Sequence, residues 1–424
     1  MHPNKQHSSQ RYIYWLIGAF PLFFSTIKGW SNGVSFLIFI FSLFPIIRNK
    51  NYFLSQRNKN FWFLIAILSL PFFTEVFAQI GRGNIFWRSL DGPSRFLIAT
   101  SVFIFVTRCN ISEKFPTQLS RGIYASLLLL LAYVCVIDDY NWGHRLATQV
   151  SDPNTVAIYS VVFLSASLLA IETLKDRPLI YFSAYLIGFG VITYVCYYSQ
   201  TRTAWIAQIL LILLILIRTF WSRKLALTGA IFVLLTIVLV AYQNAGVINA
   251  RVNQATYDLV QLYQGKPNTS IGTRITLNLV DVELLRLAPF FGFEDANLPS
   301  YEILKSRIPI LTEEIYSQKI QAGSHSEAFA QLTRKGIFLG AITVFCVFAY
   351  PLYFFWRRRS STLCSVRQIA QAGLITTIIL ITVSLAFEVL NLKMTSTFWG
   401  IFLAVFLGSI HSLESANRET INTT

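Results

Sequence analysis

The sequence predicts an all-α polytopic membrane protein of about 12 transmembrane helices, with one large outer loop that contains helices of its own. Three observations predict it. The chain of 424 residues is 54% hydrophobic and only 13% charged, with 36 Phe, which is more apolar surface than a soluble fold of this size hides from water. Apolar runs close to the roughly 20 residues that a bilayer requires recur along its whole length. The basic residues gather in short loops between these runs.

In chain order the spans read as residues 12–28, 31–47, 61–79, 95–108, 121–137, 155–172, 178–198, 202–217, 225–243, 335–356, 368–390 and 395–411. Pro21 and Pro71 fall inside their spans and predict kinks. The first run lacks a small-residue cleavage site and is expected to be retained as a span. The chain thus divides into residues 1–243 with spans one to nine, a large loop over 244–334, and residues 335–424 with the last three spans and a tail.

Orientation follows from charge. The loops around 48–59, 108–121, 175–177, 218–224 and 357–367 hold sixteen Lys and Arg. The opposite short loops hold seven: Lys28, Arg82, Arg88, Arg95, Arg145, Arg202 and Lys393. The first set is expected to face the cytoplasm, together with both termini. The formal net charge of +15 therefore reports topology, and no nucleic-acid partner is expected, since no compact basic domain carries it. Of five cysteines, Cys135, Cys196 and Cys346 lie in apolar runs and Cys109 and Cys364 in basic loops, so no disulfide is expected.

The loop over 244–334 faces outward. Within it "TRITLNLVDVELLRLAPFFGFE" predicts a helix ended by Pro289 and Gly292, and "LTEEIYSQKIQ" a second helix. An ordered loop of this length usually carries function.

Several charged residues need a reason for their placement. Arg202 lies in "YYSQTRTAW" between two apolar runs, with no acid near it in sequence. An unpaired guanidinium within a span costs about 2.5–3.5 kcal/mol on insertion scales, so Arg202 either snorkels to lipid phosphates or meets a ligand. Arg274 opens the predicted loop helix. His325 and His144 are the two outward histidines, and His325 sits where the loop meets the tenth span, placed to accept a proton. Glu388 falls in the outer half of the eleventh span and Lys393 follows five residues on, as a functional carboxylate or as a structural ion pair. Asp281 and Glu283 have the spacing of a metal-chelating pair, but on a helix they point about 200° apart. Asp138 and Asp139 read as a solvated helix end. No metal and no cofactor are expected. Phosphate-binding glycine loops are absent, so the energy for any synthesis must arrive with the substrate.

Three segments in order resemble the O-antigen ligases of lipopolysaccharide assembly: "SQTRTA" (199–204), "TSIGTRITLNLVDVELLRLAPFFGFE" (269–294) and "HSEAFAQLTRKGIFLG" (325–340). "HRLATQVSDPN" (144–154) resembles a further family segment and adds Arg145 to the candidates, and Glu388 stands where such ligases often carry an acid. Ser326 departs from the Asn common in the family. The resemblance implies a GT-C-like frame in a bacterial inner membrane with its large loop in the periplasm. It implies a glycosyltransferase without metal or ATP. Its donor would be an O-antigen polysaccharide on undecaprenyl pyrophosphate, and its acceptor a sugar hydroxyl of lipid A-core, joined with inversion. Arg202 and Arg274 would then bind the pyrophosphate and His325 would be the catalytic base, with Arg145, Glu388 and Lys393 in lesser roles. An O-antigen polymerase would share the donor and the arginines. A glycolipid flippase is the reading from another class, and it would leave the glycan-lipid linkage intact.

Overall fold

The computed structural model describes residues 3–48, 59–109, 112–136, 141–142, 145–148, 150–220, 245–294, 297–390 and 392–423. The chain is an all-α, multi-pass membrane protein. Among the described residues, eight helices are long and apolar enough to cross a membrane: Lys59–Arg82, Trp87–Val106, Lys114–Val136, Pro153–Glu172, Pro178–Ser199, Ile337–Arg358, Cys364–Ser384 and Lys393–Glu419. Helix α2 (Trp30–Arg48) covers the second expected span, while α1 (Pro3–Ala19) overlaps only the first part of the expected first span, 12–28. The expected ninth span, 225–243, lies outside the described residues, as do Asp138, Asp139 and His144.

Several boundaries differ from expectation for local reasons. Pro21 does not kink a longer helix: α1 stops at Ala19, turns follow to Gly29, and the Trp30 indole donates to the Ala19 carbonyl at 3.0 Å. A residue before proline disfavours the helical region, and the indole adds a second donor to the Ala19 carbonyl, which also accepts from Leu22 N at 3.2 Å. At Pro71, by contrast, α3 (Lys59–Arg82) runs on. The fourth span gains length because a 3-10 turn, Trp87–Leu90, leads directly into α4 (Asp91–Val106). Next come α5 (Lys114–Val136), the two-residue strands β1 (Asn141–Trp142) and β2 (Arg145–Leu146), which pair antiparallel, then α6 (Pro153–Ala166) and α7 (Leu168–Glu172). Helices α8 (Pro178–Ser199) and α9 (Arg202–Phe220) follow.

The polar segment folds into α10 (Ala245–Tyr263), α11 (Ser270–Leu287), α12 (Tyr301–Arg307), α13 (Glu313–Ala322) and α14 (Glu327–Lys335). It has a small core of its own. Leu277, Val280 and Leu284 of α11 bury against Leu304, Ile308, Leu311 and Ile315. Each such side chain contributes about 1.5–3 kcal/mol on full burial, which gives this segment a fixed shape.

The tenth span is interrupted. Helix α15 (Ile337–Val344) passes through a π turn, Phe345–Ala349, into α16 (Tyr350–Arg358). Pro351 has no N–H to give to the Val347 carbonyl four residues back, and the Trp399 indole donates to that carbonyl instead, at 3.0 Å. Helix α17 spans Cys364–Ser384, and α18 spans Lys393–Thr423. The eleventh span therefore ends earlier than expected, and Glu388 lies in the irregular connection after it. Helices α4 and α18 make the most intimate pair of the membrane core. Gly400 lets the backbones close until a Cβ there would lie 3.1 Å from that of Ala99, the small-residue packing that stands in for the hydrophobic effect in lipid.

Candidate active site

The turn between α8 and α9 is built to present Arg202. Gln200 adopts the left-handed conformation, φ 55°, and ends α8. Side chains brace the carbonyls at this helix end: Trp205 donates to Cys196 at 2.8 Å, beside the Gln200 N–H at 3.1 Å, and Arg145 donates through Nε to Ser199 at 2.7 Å. Arg145 also donates to Asn154 Oδ1 at 3.0 Å and to the Thr201 hydroxyl at 3.3 Å. Asn154 is itself held at the start of α6, where Asp152 caps the helix and Pro153 occupies its first position. Arg145 is thus a staple for the Arg202 turn.

Arg202 has a protein partner, contrary to the view from sequence. Its Nη1 lies 3.5 Å from Oδ2 of Asp258 on α10, an acid 3% exposed. Its Nη2 is buried with no hydrogen-bond partner among the described residues, so part of the fork remains available. Arg274 stands at the start of the second turn of α11, which Thr269 caps by accepting the Gly272 N–H at 3.2 Å. Only glycine fits at 272, since a Cβ would stand 2.5 Å from the Pro267 carbonyl. Arg274 is half-buried and forms no hydrogen bond or ion pair with a described residue. Burial first, and then the nearby charge of Arg202, pull its pKa down. Two guanidinium groups that repel each other beside one carboxylate leave a positive excess at a helix N-terminus, an arrangement suited to an anion.

His325 follows in the turn between α13 and α14. Its φ is 55°, a left-handed conformation that a residue with a Cβ occupies at a cost of about 1–2 kcal/mol. The surrounding contacts impose it. The Ser324 N–H donates to Oε1 of Glu388, and the Ser324 hydroxyl donates to Oδ1 of Asp281 at 3.0 Å. Lys319 of α13 reaches the same Asp281 oxygen at 2.5 Å and also donates to the Ser324 hydroxyl. Gly323, at φ 82°, packs so closely on Glu388 that a Cβ would collide with its carboxylate. The imidazole itself hydrogen-bonds no described residue. Burial and then the charge of Arg274 lower its pKa, against an opposing pull from Glu388, so that it is neutral at physiological pH.

The two segments that end in glycine turns clip together behind this turn. Phe293 N donates to the Thr333 carbonyl at 2.7 Å, and Ile337 N donates to that of Pro289 at 2.8 Å. Gly292 and Gly336, both at positive φ, allow the backbones to touch. Arg82, from the end of α3, bridges them by donating to the carbonyls of Phe291, at 2.8 Å, and Arg334.

Glu388 and Lys393 do not pair with each other. Glu388 Oε2 accepts from Arg334 at 2.8 Å, and Lys393 pairs with Asp91 at a half-exposed site. Glu388 therefore supports the His325 turn, and Lys393 takes no part in this cluster. Asp281 and Glu283 diverge as helical geometry requires: the first points inward to Lys319, the second outward to Arg307 and Arg286 at 2.6 and 3.1 Å. Among the described residues no three His, Cys, Asp or Glu side chains converge.

Asp258, Lys319 and Glu327 were not singled out from sequence, and Asp281 was considered there only as half of a metal-chelating pair. Glu327, fully buried, accepts from Leu390 N at 2.8 Å and from Gln331 at 2.7 Å, which ties the Glu388 segment to α14. Burial pushes its carboxyl up to about 7. In the sequence it looks like the ordinary acid of a helix's first turn.

Residues 187–344 match the family model described as O-Antigen ligase. The matched segment runs from within α8 to the end of α15 and includes Arg202, Arg274 and His325. No curated protein matches the chain.

Proposed function

The chain carries a domain of the O-antigen ligase family over residues 187–344, and on that premise we propose that it transfers a polysaccharide from a lipid pyrophosphate to a hydroxyl of lipid A-core at the periplasmic face of the inner membrane. The observation that supports this reading best is the sequence of charges from Asp258 through Arg202 and Arg274 to a neutral His325. In the reaction the acceptor hydroxyl gives its proton to the imidazole as its oxygen bonds to the anomeric carbon of the donor. The bond from that carbon to the pyrophosphate oxygen breaks, and the electron pair leaves with the phosphate. Arg202 and Arg274 hold the charge that develops there, bidentately and without reorganisation. Attack opposite the leaving group inverts the anomeric centre. Arg145 fixes the turn that carries Arg202, while Glu388 and Asp281 fix the turn that carries His325. Undecaprenyl pyrophosphate is the donor lipid that the family implies, and a site at the bilayer surface suits an anchored leaving group.

The test is reconstitution. Purified protein mixed with glycan-pyrophosphoryl-undecaprenol and lipid A-core is expected to produce a ladder of glycosylated lipid A-core on a gel. Elongation of the donor glycan without use of lipid A-core would establish the polymerase reading instead. An intact glycan-lipid linkage under all conditions would remove the enzyme reading.

A further inference from the structure

A second polar cavity lies at the far end of the bundle. Asn60 on its wall and Arg82 beside the His325 cluster are at opposite ends of α3, about 33 Å apart at 1.5 Å per residue. The cavity, of about 440 Å³, opens among the ends of α3, α16 and α18, with Phe63, Tyr353, Phe354, Arg357, Arg358 and His411 among its walls. His411 is only 7% exposed and hydrogen-bonds no described residue, although it faces this polar space. Arg358 is already matched: it lies 3.7 Å above the Phe354 ring and forms a two-pronged ion pair with Glu414 at 2.7 and 3.0 Å. Arg357 is not, since its guanidinium donates to the Tyr353 hydroxyl at 3.0 Å and pairs with no carboxylate among the described residues. One positive charge and one buried imidazole are therefore left facing the space.

The rim indicates what fills it. Phe63 and Tyr353, in its wall, are 48% and 53% exposed on helices that cross the bilayer, and Trp356, at the same end of α16 but outside the wall, is 53% exposed with Arg359 stacked on it at 3.2 Å. Aromatic rings beside arginines at a helix end are the composition of a membrane interface. The mouth thus opens toward lipid headgroups and not toward bulk solution alone. We propose that this cavity binds the phosphodiester headgroup of an anionic phospholipid in the leaflet on the Arg357–Arg359 side, with Arg357 and His411 as the phosphate contacts. The phosphate takes the unmatched charge of Arg357 and an N–H of the imidazole, and the acyl chains lie along Phe63 and Tyr353. This site is independent of the proposed transfer reaction.

Native mass spectrometry of the full-length protein in detergent tests it, with phosphatidylglycerol, phosphatidylcholine and inorganic phosphate as probes. One phosphatidylglycerol per chain is expected to be retained in preference to phosphatidylcholine. Arg357→Gln is expected to weaken that retention roughly fivefold, the usual effect of one basic residue near an anionic lipid. His411→Gln is expected to weaken it as well, and circular dichroism and thermal unfolding will report whether that buried change leaves the fold intact. Equal retention of the two lipids, or unchanged phosphatidylglycerol binding in Arg357→Gln, overturns the proposal. Competition by millimolar inorganic phosphate as effective as that by phosphatidylglycerol would make this a free-phosphate site and overturn the lipid assignment.

Discussion

Lys319 and Asp281 form a buried ion pair, Nζ to Oδ1 2.5 Å, beneath the turn that carries His325, with side chains only 2% and 0% exposed. Burial raises the Asp281 carboxyl to about 6 against the opposing pull of Lys319 and Ser324. Removing one partner strands the other in an apolar setting. Lys319→Met is expected to cost about 3–5 kcal/mol, and the double change Lys319→Met with Asp281→Leu much less. Thermal unfolding in detergent measures both. A single variant as stable as the parent would mean that water reaches the pair.

His325→Asn separates chemistry from folding. Asparagine tolerates the left-handed backbone that His325 adopts, so the turn and its bonds to Glu388 and Asp281 are expected to persist. Loss of a general base lowers the rate by about 10²–10⁴-fold. Donor binding is expected to survive. Transfer at the parental rate would remove His325 from the mechanism, and loss of donor binding would make it a phosphate ligand.

The pH dependence has a defined sign. A base acts in its neutral form, and His325 has its pKa lowered from 6.5 by burial and by Arg274. The rate is therefore expected to stay level around pH 7 and to fall only as the pH drops below 6.5. Arg274→Gln removes a positive neighbour and is expected to shift this acid limb upward, whatever it does to the maximal rate. A limb that does not move would mean that the titrating group is not His325.

The arginines are expected to reject lysine. Arg202→Lys and Arg274→Lys keep the charge and lose the planar fork, so transfer is expected to drop by at least about tenfold, the loss of one charge-assisted hydrogen bond of about 1.5–3 kcal/mol. Asp258→Asn leaves Arg202 without its ion-pair partner. It is expected to alter the Michaelis constant for donor more than a surface substitution does. Steady-state transfer assays on inserted, monodisperse protein check all three. Full activity in Arg202→Lys would favour simple snorkelling.

The membrane character of the chain and two helices of the polar segment, α11 and α13, were legible because they depend on local properties, whereas α10 and α12 were not foreseen. Apolar runs of bilayer length must be helical where no water can satisfy the backbone. The segment from Ser270 stops before Pro289 as expected, because a proline forbids continuation through bonds to its immediate neighbours. Arg202 attracted attention for a related reason: one charge among apolar residues is visible without knowing the fold.

The partners were not legible. Arg202 meets Asp258, 56 residues away, and Glu388 meets Arg334, 54 residues away, although Lys393 is far nearer in sequence. The Val347 carbonyl freed by Pro351 is satisfied by Trp399, 52 residues on. The left-handed φ at His325 has only a weak local signature, since histidine tolerates that region better than most residues but rarely adopts it unless contacts impose it. The sequence by itself determined that the apolar runs of bilayer length are helical, that α11 stops before Pro289 and where the conspicuous charges stand, since apolar length and proline act over a few residues. Only the tertiary structure decided which charges meet and which backbone is held under strain, since an ion pair or a hydrogen bond depends on distances of a few ångströms that the packing of distant helices sets.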